Sequence, residues 1–214
     1  DSLIKHIPYL LQIANEIANT DVIISLSLAA IENNWIRPQV EDSTDFEIIE
    51  GRHPVVEKHI PIGEFVPNNS KVNSDDEKFP SFNLITGPNM AGKSTYLRQN
   101  ALICLLAQIG SYVPAKFAKI GVVDKIFCRV GASDNLAKGE STFLVEMTET
   151  AHILHSATKK SLVIMDEVGR GTSTEDGLAI ARAVSEYLLD EIKCRTLFAT
   201  HYHELSRMEH SKLN

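Results

Sequence analysis

A glycine-rich segment carries the residue types and the spacing that bind phosphate groups. It runs Gly87-Pro88-Asn89-Met90-Ala91-Gly92-Lys93-Ser94-Thr95 and follows an apolar run, Phe82 to Thr86, that is typical of a β-strand. Glycines at both ends let consecutive amide protons turn inward, and a helix that begins there places its positive end at the phosphates. Lys93 is expected to reach the β- and γ-phosphates, and the Ser94 hydroxyl is expected to bind Mg²⁺. The whole segment therefore predicts a site for a magnesium-bound triphosphate.

Two adjacent carboxylates form the second motif. Asp166 and Glu167 follow the uninterrupted apolar run Leu162 to Met165, which is typical of a strand covered on both faces. Ligands of a parallel α/β sheet bind beyond the carboxyl ends of its strands. Asp166 is expected to hold the magnesium ion through a bound water, and Glu167 to orient and activate an attacking water. The alternative is a solvated acidic pair that only ends the strand.

Two further polar segments follow later strands. The stretch Gly169 to Gly177 comes after the carboxylates and leads into a helix, and within it Ser173 and Asp176 have the spacing of a capping box. His201 follows the apolar run Leu197 to Ala199. A histidine at that strand end would lie on the same side of the sheet as the carboxylates, so His201 is predicted to sense the γ-phosphate.

The elements that must position these residues alternate between short apolar runs and longer segments with helical periodicity. One or two helices are predicted between Pro8 and Trp35, and single helices over Ser94 to Ile109, Thr142 to Ala157 and Thr174 to Ile192. Strands are predicted over Phe46 to Glu50, Phe82 to Thr86, Ile126 to Val130, Leu162 to Met165 and Leu197 to Ala199. The polar stretch Ser70 to Lys78 is expected to be a solvated loop. The alternation predicts an α/β fold with a mostly parallel sheet.

Composition limits the function classes. The chain has 214 residues, 43% of them apolar, which suits one folded domain with an appendage. Its net charge of −7 argues against a large cationic surface that would grip DNA phosphates alone. Three widely spaced cysteines argue against a disulfide framework and for a reducing compartment. No apolar stretch is long enough to span a membrane, so a cytoplasmic protein without a membrane partner is expected.

Three functions remain compatible with the motifs. An ATPase needs a water-activating carboxylate beside the metal, and Glu167 supplies one. A phosphotransferase would share the phosphate loop without an obvious need for that glutamate. A binding module could hold nucleotide without turning it over. Glu167 favours the ATPase.

Four stretches together resemble a known family, the mismatch-repair ATPases of the MutS type, which are a branch of the ABC ATPase superfamily. They are Gly87 to Tyr96, Ser141 to Met147, Asp166 to Thr174 and Ala199 to Tyr202, in the family's order and spacing. The segment Arg52 to Glu57 is similar as well. The resemblance covers nearly the whole chain, matches the bacterial style of the family and implies an ABC-type P-loop fold.

The resemblance implies residue roles that spacing alone does not. In ABC ATPases the nucleotide lies between two subunits, so Ser141 is expected to act in trans on the partner's γ-phosphate. Asn89 is expected to make polar contacts near the γ-phosphate. Phe65 matches the position of the family's aromatic residue that stacks on adenine, although an aromatic residue in a strand is as often part of the core.

The resemblance also implies an organisation and partners. Residues 1–36 would be the end of the long lever helices, 37–45 a connector, and 46–214 an ATPase domain that stops short of the family's carboxyl-terminal elements. The full-length protein would be a homodimer that binds mismatched double-stranded DNA through other domains, signals to a MutL-type repair factor and works at the bacterial nucleoid. The family's mismatch-reading Phe-x-Glu motif does not occur in this sequence.

Overall fold

Two four-stranded sheets and four α-helices make up the structure, a computed structural model that describes residues 3–61, 63–88, 90–130 and 142–214. The helices are α1 Ile7–Glu32, α2 Lys93–Gln108, α3 Thr142–Ser156 and α4 Thr174–Tyr187. The strands are β1 Gln39–Glu41, β2 Asp45–Gly51, β3 Asn68–Asn73, β4 Phe82–Thr86, β5 Phe117–Gly121, β6 Ile126–Arg129, β7 Leu162–Asp166 and β8 Arg195–Thr200. No helix within these ranges combines the length and apolar character that crossing a bilayer requires.

The first sheet is parallel throughout and has the strand order β4-β8-β7-β6. Every residue of β7 and β8 is buried, which explains why the runs Leu162 to Met165 and Leu197 to Ala199 are apolar without polar alternation. The five predicted strands all form, and β4 has the predicted bounds. The predicted α/β class with a parallel sheet is confirmed.

The second sheet is mixed and has the strand order β1-β5-β2-β3. β2 runs antiparallel to both of its neighbours, and β1 pairs in parallel with β5. β1 lies inside the segment 37–45 that was expected to be a connector. Neither β1 nor β5 was predicted, because each is short and has only weak apolar alternation.

The prediction of a solvated loop over Ser70 to Lys78 is wrong for its first half. Asn68–Asn73 form β3, which pairs with β2. Ser70, Val72 and Asn73 are buried, and the polar side chains among them have partners: Ser70 Oγ is 2.6 Å from the Tyr96 hydroxyl, and Asn73 Nδ2 donates to Asp45 Oδ1 at 2.6 Å. Pairing with β2 thus outweighs the low strand propensity of asparagine and serine.

Helix α2 connects the two sheets. Its buried side chains Leu97, Ile103, Cys104 and Ala107 belong to one apolar cluster with residues of both sheets, among them Ile48 and Ile120 of the mixed sheet and Ile164 and Leu197 of the parallel sheet. The helix that begins at the phosphate loop is therefore fixed by packing on two sides.

Helix α1 is a single helix of 26 residues. Its apolar positions recur at helical intervals as predicted, yet Ala30 is its only side chain that the described residues bury. Ile13, Ile17 and Ile24 are each more than half exposed. The apolar face of α1 is not covered by the part of the chain that the structure describes.

Helix α4 begins at the predicted capping pair. Ser173 is the N-cap, and its hydroxyl oxygen accepts a hydrogen bond from the Asp176 amide at 3.2 Å. The same hydroxyl donates to Asp176 Oδ2 at 2.7 Å. The Ser173 hydroxyl therefore satisfies one of the first amides of the helix, and the Asp176 carboxylate fixes that hydroxyl.

Candidate phosphate-binding site

Three strand ends bring the sequence motifs to one edge of the parallel sheet. β8 lies between β4 and β7, and Thr86 is paired with Thr200 while Asp166 is paired with Ala199. The phosphate loop that follows β4, the carboxylates at the end of β7 and the histidine that follows β8 therefore meet at the carboxyl edge. This is where ligands of parallel sheets bind.

The phosphate loop contains two residues with left-handed backbone conformations, Met90 and Gly92. Gly92 has a φ of 88°, which a glycine adopts at little cost, and it caps α2. Met90 has a φ of 65° without being a glycine, and its side chain is fully exposed. The first turn of α2 has neither an acidic residue nor a side-chain cap among the described residues, so its positive end is available to an anion.

Lys93 folds back over its own loop. Its ammonium donates to the carbonyl oxygens of Gly87 at 2.7 Å and Pro88 at 3.0 Å. The residue is only 9% exposed. A full positive charge thus lies within the loop, beside the end of the helix, and its contact with phosphates stays a prediction.

Ser94 and Asp166 meet directly although 72 residues separate them in sequence. The Ser94 hydroxyl donates to Asp166 Oδ2 at 2.5 Å. The other carboxylate oxygen, Oδ1, is buried and has no hydrogen-bond partner among the described residues. A buried anionic oxygen without a partner is costly. A hydroxyl and a carboxylate of this kind are ligands that Mg²⁺ prefers, so the residues present fit a magnesium ion.

Glu167 turns the chain out of β7. Its φ of 57° is left-handed, and its amide donates to Ala199 O of the neighbouring strand at 2.9 Å. A non-glycine residue in this region costs roughly 1–3 kcal/mol and persists only where the surroundings determine it. Its carboxylate is 13% exposed and forms an ion pair with Arg170, whose side chain is 54% exposed. From the sequence, Arg170 could either act on phosphate or order the turn, and the structure places its guanidinium on the Glu167 carboxylate.

His201 follows β8 at the same edge. Its side chain is exposed, and its ring lies 4.1 Å from the ring of Tyr202 between centroids. It is therefore on the predicted side of the sheet. Its contact with a phosphate stays a prediction.

A cavity of about 990 Å³ extends from the phosphate loop between the two sheets. Phe65 lies on its wall together with Gly92, Lys93 and Thr95, so the predicted aromatic residue does share a cavity with the loop. Tyr96 also lines the cavity, and sequence reasoning missed it. Its position three residues after Lys93 on a helix was the available signal, since residues three apart share a helix face. Burial raises the pKa of Tyr96, so its hydroxyl stays protonated at neutral pH.

Two predicted site residues, Asn89 and Ser141, lie outside the described residues. The structure describes α3 from Thr142 onward, directly after Ser141. The roles of both residues stay predictions.

Comparison with known proteins gives consistent similarities. Residues 83–214 match the family model described as MutS domain V. The DNA mismatch repair protein MutS of Treponema denticola is 64% identical over 216 residues, which cover 98% of this chain and 24% of that protein. The protein of the same name from Clostridium beijerinckii is 57% identical over 211 residues, which cover 98% of this chain and 22% of that protein. The chain therefore spans about a quarter of the length of these relatives.

Proposed function

The chain belongs to the MutS family, with residues 83–214 corresponding to its domain V, and on that premise we propose that it binds and hydrolyses ATP within a DNA mismatch repair protein. The predicted P-loop fold class agrees with this membership. The observation that carries the proposal is the contact between Ser94 and Asp166 at 2.5 Å. It joins the phosphate loop to the carboxylate pair in one site, with Lys93 in the same loop.

Different residues of the chain have different roles in phosphoryl transfer to water. Lys93 and the amides at the start of α2 bind the β- and γ-phosphates and stabilise charge that develops on them. Glu167 orients the attacking water and accepts its proton, while His201 contacts the γ-phosphate from the next strand. Ser94 and Asp166 would hold Mg²⁺, which neutralises phosphate charge when bound. The attack is in line and needs no covalent intermediate.

Contacts to adenine and to a second subunit involve three further residues. Phe65 is proposed to stack on adenine, which its place on the cavity wall supports. Asn89 in the loop and Ser141 acting in trans on a partner's γ-phosphate rest on the family resemblance. They imply a composite site at the interface of a homodimer.

The wider role is proposed from the relatives, which are DNA mismatch repair proteins about four times as long as this chain. ATP binding and hydrolysis would switch how the full-length protein holds mismatched double-stranded DNA, which other domains would grip, and would regulate a MutL-type factor. Residues 1–36 would be the end of a lever, 37–45 a connector and 46–214 the ATPase domain. A bacterial cytoplasm, at the nucleoid, is the proposed location.

Two alternatives are separable by one experiment. ATP consumption is measured without any phosphate acceptor, alongside MgATP affinity, for the wild type and for Glu167→Gln. An ATPase consumes ATP without an acceptor, and Glu167→Gln binds ATP but turns over roughly 10²- to 10⁴-fold more slowly. A phosphotransferase consumes none until an acceptor is supplied. A binding module with tight affinity and no turnover is the third outcome, and normal hydrolysis by Glu167→Gln would refute the role of that residue.

The composite site has its own test in the mass of the full-length protein in solution. Glu167→Gln should accumulate the ATP-bound form, so its mass should rise toward that of a closed dimer when MgATP is added. A mass that does not respond to MgATP would contradict a site shared between subunits.

A further inference from the structure

Both backbone polar groups of Gly169 are hydrogen-bonded to distant residues. Its amide donates to Glu146 Oε1 of α3, and its carbonyl oxygen accepts from the Tyr202 hydroxyl at 3.0 Å. Tyr202 follows β8, so α3 and the segment after β8 both hold the backbone of this one residue. Gly169 lies two residues after Glu167 and one before Arg170.

Glu146 is an unusual residue for the interior of a helix that packs on a sheet. It is 4% exposed, and its second oxygen is 3.9 Å from a guanidinium nitrogen of Arg129. A buried carboxylate is costly unless it is paired and hydrogen-bonded, and a charged acceptor makes a backbone hydrogen bond about twice as strong as a neutral one. The chain thus retains a buried charge at the place where it binds the Gly169 amide.

Tyr202 binds the carbonyl oxygen of the same glycine. It is 4% exposed. Burial, and then the negative charge of Glu146, raise the pKa of Tyr202, so its hydroxyl keeps the proton that it donates to Gly169. The hydrogen bond from Tyr202 to Gly169 therefore persists at neutral pH.

Glycines allow these contacts to be close. Gly169 has a φ of 92°, and a Cβ added to it would lie 2.6 Å from the carbonyl oxygen of Gly177 in α4. A Cβ on Gly177 would overlap the Tyr202 hydroxyl, and a Cβ on Gly171 would lie 2.7 Å from Phe143 Cβ. The loop that carries Glu167 is therefore packed between α3, α4 and the end of β8 with no spare room.

We propose that Glu146 is a positioning residue for hydrolysis: by holding the Gly169 amide it keeps Glu167 in its left-handed conformation, with Tyr202 as the second support. The inference rests on the proposed function, because it assigns Glu146 to the reaction through Glu167. Glu146 touches neither the phosphate loop nor Asp166 in the described contacts. Its loss should therefore slow the chemical step and spare nucleotide binding.

The test uses the full-length protein and separates binding from chemistry. MgATP affinity and the single-turnover hydrolysis rate are measured for Glu146→Ala, Glu146→Gln and Tyr202→Phe. Glu146→Ala should lower the rate by about 10- to 100-fold, since small misplacements of a catalytic group have effects of that size. Its MgATP affinity should stay within about twofold of wild type, the pattern of a residue that acts only on the transition state. Glu146→Gln keeps an acceptor for the Gly169 amide and should recover most of the lost rate.

A matched control isolates the contact with Gly169. Glu149 pairs with the same arginine, with its Oε2 2.8 Å from Arg129 Nε, yet no described contact joins it to the loop. Glu149→Gln removes the negative charge that pairs with Arg129, and it should leave the hydrolysis rate near that of the wild type. A rate loss as large as that of Glu146→Ala would mean that Arg129, not the Gly169 amide, carries the effect, and the proposal would be wrong.

The remaining outcomes distinguish this inference from the proposed function. If Glu167→Gln abolishes hydrolysis while Glu146→Ala hydrolyses ATP normally, the inference fails and the proposed function stands. If the wild type does not hydrolyse ATP, the proposed function fails. If circular dichroism shows that Glu146→Ala does not fold, Tyr202→Phe decides: a several-fold slower rate with normal affinity supports the inference, and an unchanged rate overturns it.

Discussion

The phosphate loop and the loop that follows β7, which carries Glu167 and Gly169 and is called the carboxylate loop below, lie at the same sheet edge. The two loops are held in different ways. The phosphate loop is shaped mainly by its own residues: glycines take positive φ angles at Gly87 and Gly92, and Lys93 bonds to carbonyl oxygens five and six residues before it. All of this lies within one stretch of sequence.

The carboxylate loop depends on the rest of the chain. The amide of Glu167 bonds to Ala199, and Gly169 is held by Glu146 and Tyr202. These partners come from elements up to 33 residues away in sequence. The conformation of the phosphate loop is therefore determined mainly by its own sequence, whereas the placement of the proposed catalytic carboxylate depends on the assembled fold.

The largest expected effect is on MgATP affinity, which should depend on Lys93 of the phosphate loop and little on Glu167 of the carboxylate loop. Lys93→Met removes the charge inside the phosphate loop and should weaken MgATP binding by about 10- to 100-fold, since hydrogen bonds from a charged donor contribute about 1.5–3 kcal/mol each. Glu167→Gln should leave the affinity within about threefold of wild type while hydrolysis falls. Titration calorimetry of both variants checks this. Equal losses of affinity would remove the distinction between the loops.

A pair of glycine substitutions compares the two loops by stability. Gly92 and Gly169 have nearly the same φ, 88° and 92°, but a Cβ on Gly92 meets nothing within 4 Å, whereas one on Gly169 meets the backbone of Gly177 at 2.6 Å. Gly92→Ala should lower the free energy of unfolding by about 1–2 kcal/mol from backbone strain alone. Gly169→Ala should lower it by about 2–5 kcal/mol, because overpacking adds to the strain.

Chemical denaturation of the two glycine variants gives both values. Wild type and variants must show the same denaturant dependence for the comparison to hold. Equal destabilisation would show that the surroundings of Gly169 adapt, and that the carboxylate loop is less tightly packed than the structure indicates.

The smallest expected effect tests whether the phosphate loop is independent of its neighbours. The Tyr96 hydroxyl is 2.6 Å from Ser70 Oγ and connects α2 to β3. Tyr96→Phe should cost about 1 kcal/mol of stability, the usual net contribution of one hydrogen bond. MgATP affinity should change less than about twofold, because the ring and the loop backbone are retained. A large loss of affinity would mean that β3 helps to shape the loop.

The same contrast explains what could be predicted from the sequence. The segment Gly87 to Thr95, the strand ending at Thr86 and the apolar strand before Asp166 were predictable because their signals are contiguous. The fold class followed from the alternation of such runs. These are the parts of the molecule in which local sequence and final structure agree.

The rest depends on pairing between distant segments. β3 was missed because Asn68, Ser70 and Asn73 have low strand propensity, and only β2 beside them makes the strand favourable. The bond from Glu146 to Gly169 has no signal in either segment, since a glutamate in a helix is usually exposed. The contact between Ser94 and Asp166 could be expected from strand ends, but the order β4-β8-β7 that produces it comes from the assembled sheet.

The central claim is that the phosphate loop and the carboxylate pair bind one magnesium-bound triphosphate. A double-mutant cycle with Ser94→Ala and Asp166→Asn tests it most directly, with nucleotide affinity measured in Mg²⁺ and again in a chelator. Each single variant should lose about tenfold in affinity in Mg²⁺, the double variant should lose little more, and this coupling should disappear in the chelator. Losses that add in Mg²⁺, or coupling that persists unchanged without the metal, would contradict a shared magnesium site.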